Sequence, residues 1–419
     1  MQKFLARQPI FTPERAVYGY ELLFRSSPEN SFDRSQPDFA AASSTDSLFL
    51  FGIDRLTDGR RAFINCTREF LVRDFPTLLP KDRIVVEILE TVHIDEQVLG
   101  ACDRLKKAGY LIALDDYQDT PEWQRMIAFA DFLKIDLQIT PPEEQRRLVR
   151  TYSSPKLSLV AERVETYEVF ERTLHWGYSY FQGYFFARPQ MLTRHDVPAF
   201  KLNYLRVLQA ANRPVMDIRE ISECIKAETS LSYRLLRYLN SPVFPLITEV
   251  KSIPHALSLL GERGVRKWIS LVAIACMGDG KPFELITLPL IRARFCELLA
   301  RPAHMAENSN DLFLLGLLSA VDAILDLPME EVLREITIHP DIRAALLGHQ
   351  NKYRQIFDIS QHYEKGDWDA ISATAASLGI SERDVPDLYL QSVSWARSVL
   401  TGDSSKEPAN ETAGVLRSD

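Results

Sequence analysis

Eight short apolar runs recur along the first half of the chain, and they constrain the fold more than any other feature. They are FLARQ (4–8), YGYELLF (18–24), AFINC (62–66), RIVVEIL (83–89), YLIALD (110–115), FLKID (132–136), LSLVAE (157–162) and YFQGYFF (180–186). Each is rich in β-branched or aromatic residues, and the runs alternate with longer amphipathic segments, the pattern of βα units. Eight such runs predict an α/β fold, a closed TIM-type (β/α)8 barrel, in preference to an open doubly wound sheet. No Gly-rich phosphate loop follows the first run, as the open sheet would require.

After Pro198 the strand pattern stops. SLSYRLLRYLN (230–240), HALSLLGERGVRKWISLVAIACM (255–277), LPLIRARFCELLARPAHMA (288–306) and DLFLLGLLSAVDAILDL (311–327) all carry helical periodicity. A length of 419 residues suits two domains of roughly 200 residues each. The expected organisation is a barrel over 1–198, an all-α domain over 199–400 and a disordered polar tail over 401–419. Trp268, Trp368 and Trp395 are expected in the helical core. The segments Arg234–Arg237, Arg263–Lys267 and Arg292–Arg301 read as solvated helix faces with local ion pairs.

Several function classes fall away on composition. A formal net charge of −8, from 49 basic and 57 acidic residues, argues against a broad nucleic-acid surface. The five cysteines form no C-x-x-C pair and no H-E-x-x-H occurs, so neither a disulfide framework nor a thiolate zinc site is suggested. The first residues lack the apolar core of a signal peptide. Leu312–Leu327, the most apolar stretch, is interrupted by Asp322 and short for a membrane span. A soluble cytoplasmic protein is expected.

In a parallel barrel the chemistry sits at the C-terminal ends of the strands. At or near the ends of the runs stand Glu21, Asn65, Glu87, Asp115 with Asp116, Lys134 with Asp136, Glu162 and Gln182. Any one of these can be a solvated edge or a helix cap, but their convergence has chemical content. Buried carboxylates repel one another and need a cation. An all-oxygen donor set suits Mg²⁺ or Mn²⁺ and not zinc. Two such ions about 3.5–4 Å apart clamp the attacking and leaving oxygens of a phosphodiester. A nearby lysine orients the attacking water or offsets transition-state charge. The chemistry expected is metal-dependent hydrolysis of a phosphate ester.

LARQPI (5–10), GYELLFR (19–25), FIN (63–65), VEILE (86–90), ALDD (113–116), LKID (133–136), AERVE (161–165) and FQGYFFARP (181–189) resemble, in order, the EAL-domain signature over roughly residues 1–195. The remainder resembles an HDOD domain, so the whole chain is similar to bacterial EAL–HDOD signalling proteins. The resemblance implies a modified TIM barrel that hydrolyses cyclic di-GMP to linear pGpG with two Mg²⁺ or Mn²⁺ ions. By the same resemblance Glu21, Asn65, Glu87, Asp115, Asp116 and Glu162 ligate metal, with Lys134, Asp116 and Glu162 catalytic. Gln8, Arg25 and Gln182 hold the dinucleotide, and Glu90 anchors the loop after Asp116. The HDOD resemblance implies a non-catalytic domain that binds a protein partner or a second copy. His195-Asp196 lies outside its helical core, and Ser319-Ala320 stands where a related HD enzyme carries its metal pair.

The chain departs from the family pattern at two single residues and one segment. Leu22 replaces the usual Ala after Glu21, and on a strand it faces away from the ligand side. Tyr117–Trp123 replaces a Gly-containing flexible loop, and Asp119 or Thr120 before Pro121-Glu122 is a helix N-terminus signal. Glu90 then loses its partner. Arg163 replaces a frequent Gly and is strained if φ is positive there. Two readings follow: a phosphodiesterase regulated by its helical half, or a degenerate barrel that binds cyclic di-GMP, or serves as a scaffold, without turnover.

Overall fold

A computed structural model describes residues 4–25, 53–187, 199–213, 215–227 and 253–401. The expected helix at 230–240, the His195-Asp196 pair and the tail beyond 401 lie outside them, as does the side chain of Arg25. Among the described residues the strands are β1 (Phe4–Phe11), β2 (Val17–Arg25), β3 (Arg61–Cys66), β4 (Ile84–Ile88), β5 (Leu111–Leu114), β6 (Phe132–Asp136), β7 (Ser158–Glu162) and β8 (Tyr180–Gln182). They coincide with the eight apolar runs and close a barrel in sequence order.

The barrel is not parallel all round. β1 runs antiparallel to both β2 and β8. Only Thr12–Ala16 separates β1 from β2, room for a tight turn but not for the crossover helix a parallel pair needs. Elsewhere helices intervene. One of them, α1 (Glu96–Ala108), starts at Asp95, whose carboxylate accepts from Gln97 N and Val98 N, and stops at Gly109 with φ +92°. Its buried residues Val98, Ala101, Cys102 and Leu105 fall on one face, the stripe expected of a helix packed on a sheet.

Strand alternation divides the barrel interior into two layers. Ile10, Phe63, Val85, Ala113, Phe132 and Val160 form an apolar plug, closed from one side by Tyr18, Leu111 and Tyr180. Two residues further toward the mouth on the same inward faces come Gln8, Asn65, Glu87, Asp115, Lys134, Glu162 and Gln182. One architecture therefore delivers a floor and a polar ring from the same period of two.

Because no helix joins β1 to β2, their outer face lacks the cover that the other strands have. The helical half supplies it with α2 (Glu284–Leu299), α4 (Lys352–Lys365) and α5 (Val385–Thr401), while α3 (Ser309–Leu318) packs behind them on α2. Tyr20 Oη donates to Glu284 Oε2 at 3.1 Å, and Leu5, Tyr20 and Leu22 are buried. Among the described residues β8 pairs with β1 only at Ile10–Gln182 and Phe11–Phe181, and no described strand lies on that side of β1 from Phe4 to Pro9. There α4 closes the seam, and Leu5 N donates to Tyr363 Oη at 3.4 Å.

Within the helical half α2 and α3 approach closely at Gly316, where a Cβ would lie 2.5 Å from Ala293 N. Trp268 and Trp395 are buried, as expected. Arg292 departs from the expectation of a solvated face. It is 5 % exposed and forks onto Glu364 through Nε and Nη2, both at 2.7 Å, because α4 crosses that face of α2. No described helix is long and apolar enough to cross a membrane.

Candidate active site at the barrel mouth

The ring assembles around Lys134. Its ammonium lies 3.1 Å from Glu21, 2.9 Å from Asp115 and 2.8 Å from Glu162, and also contacts Glu87. Burial works against its charge, but Asp115, Glu162, Glu21 and Glu87 outweigh burial and hold it protonated. Glu87 and Glu162 feel the converse. Burial drives Glu87 well above the ordinary range against the pull of Lys134, with Glu21 and Asp115 adding repulsion. Glu162 is raised for the same reasons. Asp116 is pushed up to about 6 by burial, then by Asp115, Asp136 and Glu90. One ammonium does not neutralise this cluster.

Several acceptors have no donor. Glu87 Oε2 and Asn65 Oδ1 are buried without a hydrogen-bond partner, while Asn65 Nδ2 donates to Glu21 Oε1 at 3.2 Å. An oxygen-only donor set with spare buried acceptors fits a hard divalent cation. Among the described residues no three His, Cys, Asp or Glu surround a common point as a finished metal shell. Lys134 stands at the centre of the four carboxylates instead. Asp116 adopts φ +41°, an uncommon conformation for a non-glycine residue and a frequent mark of functional sites.

The dinucleotide-side residues converge as well. Gln182 Nε2 donates to Glu21 Oε2 at 2.7 Å and to Gln8 Oε1 at 2.9 Å. Gln8 and Glu21 are register partners across β1 and β2, so both point inward. Leu22 points outward and is fully buried, as strand alternation requires.

The segment after Asp116 forms the expected helix N-terminus. Thr120 caps Pro121–Gln124, its side chain accepting from Trp123 N. Asp119 holds the segment in place by accepting from Tyr117 Oη at 3.1 Å, Gln124 Nε2 at 3.0 Å, Arg147 at 2.7 Å and also Tyr152 Oη. Burial opposes its charge, yet Tyr152, Gln124, Arg147 and Tyr117 bring its pKa down to about 2. Such a group stabilises the fold above its unfolded value of about 3.9, and the contribution disappears as pH falls through about 2. Asp119→Ala is therefore expected to cost about 1–3 kcal/mol at neutral pH. Urea denaturation checks it, and the deficit should vanish near pH 2.

Glu90 does not anchor this segment. It is exposed and bonds to no described residue, and the link runs the other way. Glu122 reaches back to Ile94 N at 3.0 Å and to His93 at 3.1 Å. Glu122 thus ties the capped turn to the loop after β4. Arg163 has φ +53°, as its replacement of Gly suggested. Its Nε pairs with Asp136 at 2.9 Å, and 56 % of the side chain stays exposed. Asp136 is thus engaged by Arg163 and by Gln138 N, outside the Lys134 cluster. Sequence reading missed the partners of Tyr152, Arg292 and Glu364: Tyr152 meets Asp119 33 positions away, Arg292 and Glu364 are 72 apart, and the Glu364 carbonyl meets Gln8 356 positions away.

A family comparison matches the EAL domain over residues 59–189 and the HDOD domain over residues 197–336. The chain is 33 % identical over 409 residues to the uncharacterized protein YuxH of Bacillus subtilis, covering 96 % of this chain and 99 % of that one. It is 30 % identical over 404 residues to the cyclic di-GMP phosphodiesterase CdgJ of Vibrio cholerae, covering 94 % of this chain and 93 % of that one. Among solved structures it resembles an EAL domain protein from Listeria monocytogenes, with TM-score 0.36, 21 % identity and coverage of 44 % of this chain and 87 % of that one. It also resembles the calcium/cyclic di-GMP complex of Klebsiella pneumoniae BlrP1, with TM-score 0.37, 22 % identity and coverage of 45 % and 56 %.

Proposed function

The chain belongs to the family in which an EAL domain is followed by an HDOD domain, and on that premise we propose that its barrel is a divalent-cation-dependent phosphodiesterase opening cyclic di-GMP to linear pGpG. The observation that carries this reading is the buried ring at the mouth. Glu21, Glu87, Asp115 and Glu162 surround Lys134, Asn65 donates to Glu21, and Asp116 adjoins Asp115, with acceptors to spare. These residues would hold two Mg²⁺ or Mn²⁺ ions. Bound divalent ions supply Lewis acidity and an activated nucleophile at neutral pH. The relative named as a cyclic di-GMP phosphodiesterase, aligned over nearly its whole length, supports the choice of ester.

The chain's own groups divide the remaining work. Lys134 offsets charge at the reacting phosphate. Gln8 and Gln182 present side-chain amides to the dinucleotide, with Arg25 at the mouth end of β2. We take the barrel as residues 1–198 and the helical half as 199–400. The helical half is a non-catalytic domain for a protein partner or a second copy, in a cytoplasmic protein.

The test is to incubate purified protein with cyclic di-GMP and Mg²⁺ or Mn²⁺, follow pGpG by chromatography, and run Glu21→Ala in parallel. Product is expected in the wild type, with a fall on the order of a thousandfold in the variant. Binding without product would make the barrel a receptor. Neither binding nor product would leave a scaffold and end the enzymatic reading.

A further inference from the structure

The helical half does more than cover β1 and β2, because one of its helices ends inside the site. The last turn of α4 enters the β1–β8 seam, where Gln8 Nε2 donates to the backbone carbonyl of Glu364 at 3.1 Å. That carbonyl can only accept, so it fixes which way the Gln8 amide faces. With its NH2 turned toward α4, Gln8 offers Oε1 to Gln182. Gln182 then commits its own NH2 to Gln8 Oε1 and to Glu21 Oε2, at 2.9 and 2.7 Å. The atom left over is Gln182 Oε1, which is buried and has no donor. Reversing the first amide would reverse the second, and Glu21 would meet an oxygen where it now meets a donor.

The end of α4 is itself held firmly. Arg292 forks onto the Glu364 carboxylate with both partners almost fully buried, and Arg292 Nη1 donates to Ser319 Oγ at 3.1 Å. The chain leaves α4 through Gly366 at φ +68°, where a Cβ would stand 2.9 Å from Leu23 Cδ1. Leu23 lies on the same inward face of β2 as Glu21.

We propose that Glu364, locked by Arg292, is a positioning residue for the barrel site, setting the amide polarity of Gln8 and Gln182 and through them the orientation of Glu21. The proposal rests on the functional reading above for the divalent-cation site and for the identity of the dinucleotide. The amide relay itself can be read with metal alone.

The experiment is a double-mutant cycle on the full chain with Gln8→Ala, Glu364→Gln and both together. Dissociation constants are measured by calorimetry for Mn²⁺ alone and for cyclic di-GMP in Mn²⁺. Each single variant is expected to weaken Mn²⁺ binding about tenfold. The double variant is expected to bind no worse than Gln8→Ala, because Glu364 acts through Gln8. Effects that multiply, or a Glu364→Gln protein with wild-type constants, would overturn the proposal. A wild type that takes up no Mn²⁺ overturns it together with the functional reading. Coupling in the Mn²⁺ cycle with no pGpG from the wild type would sink only the functional reading. Should Glu364→Gln fail to fold, Arg292→Lys keeps the charge but loses the two-pronged geometry and carries the same cycle. Binding linkage is reciprocal, so Mn²⁺ should slow amide exchange at residues 360–366 in the wild type and not in Gln8→Ala.

Discussion

Lys134→Met is expected to lose about 3–5 kcal/mol of stability at neutral pH in chelator, a drop in melting temperature on the order of 10 °C. The substitution nearly preserves shape and removes the ammonium in contact with Glu21, Glu87, Asp115 and Glu162. Truncating one side of a buried charge cluster leaves the rest uncompensated. The deficit should shrink as pH falls. Glu87 and Glu162 already have raised pKa values in the fold, so the native state takes up protons before the unfolded chain does, and stability rises toward acid. Mn²⁺ at a hundred times its dissociation constant should restore about 2.7 kcal/mol, while turnover stays low. Melting curves in chelator that match the wild type would show that the carboxylates do not depend on this ammonium.

Gly183→Ala is expected to cost more than about 4 kcal/mol, in the range reserved for gross backbone conflict. Its Cβ would lie 2.2 Å from Val164 O, 2.5 Å from Val164 N and 2.7 Å from Val164 C, at φ +146°. These are backbone atoms, so no rotamer change relieves the overlap. Val164 N also donates to Gln182 O, and Phe185 N to Val164 O. The segments after β7 and β8 are therefore laced together directly behind Glu162 and Gln182. Prising them apart displaces both side chains, so metal affinity should fall together with stability. Gly59→Ala is the matching control. It shares a positive φ of +75° but meets nothing within 4 Å, so only the conformational term of about 1–2 kcal/mol should appear. Equal losses at the two sites would mean that the clash at Val164 is relieved by backbone movement.

Much of the barrel is legible because its instructions are local. A period of two puts an apolar residue and a polar one on the same inward face, as with Phe63 and Asn65 or Val85 and Glu87, and the ring can be read from run ends alone. Thr120-Pro121-Glu122 likewise declares a helix start within three residues. The reversal of β1 was present in the sequence as the short spacer Thr12–Ala16, but eight similar runs suggest a uniform parallel set unless each connection is measured. What stayed hidden depends on closure in space. Lys134 sits among its four carboxylates only after the barrel wraps. Asp119 meets Tyr152 and Arg147 from another helix, and Gln8 meets a carbonyl 356 positions later. Arg292 looked solvated because helical periodicity does not reveal which face a distant helix will cross.

The open flank of β1 has a consequence for how such a chain can be inherited. From Phe4 to Pro9 the strand edge is covered by a helix encoded near the other end of the sequence. A recombination event that carried off the barrel alone would release that edge as a template for pairing with neighbouring copies. It would also free Leu22 and Tyr20 to seek other apolar partners. In this chain the barrel taken alone would carry an uncovered edge, so substitutions on α4 are constrained by their contacts with β1.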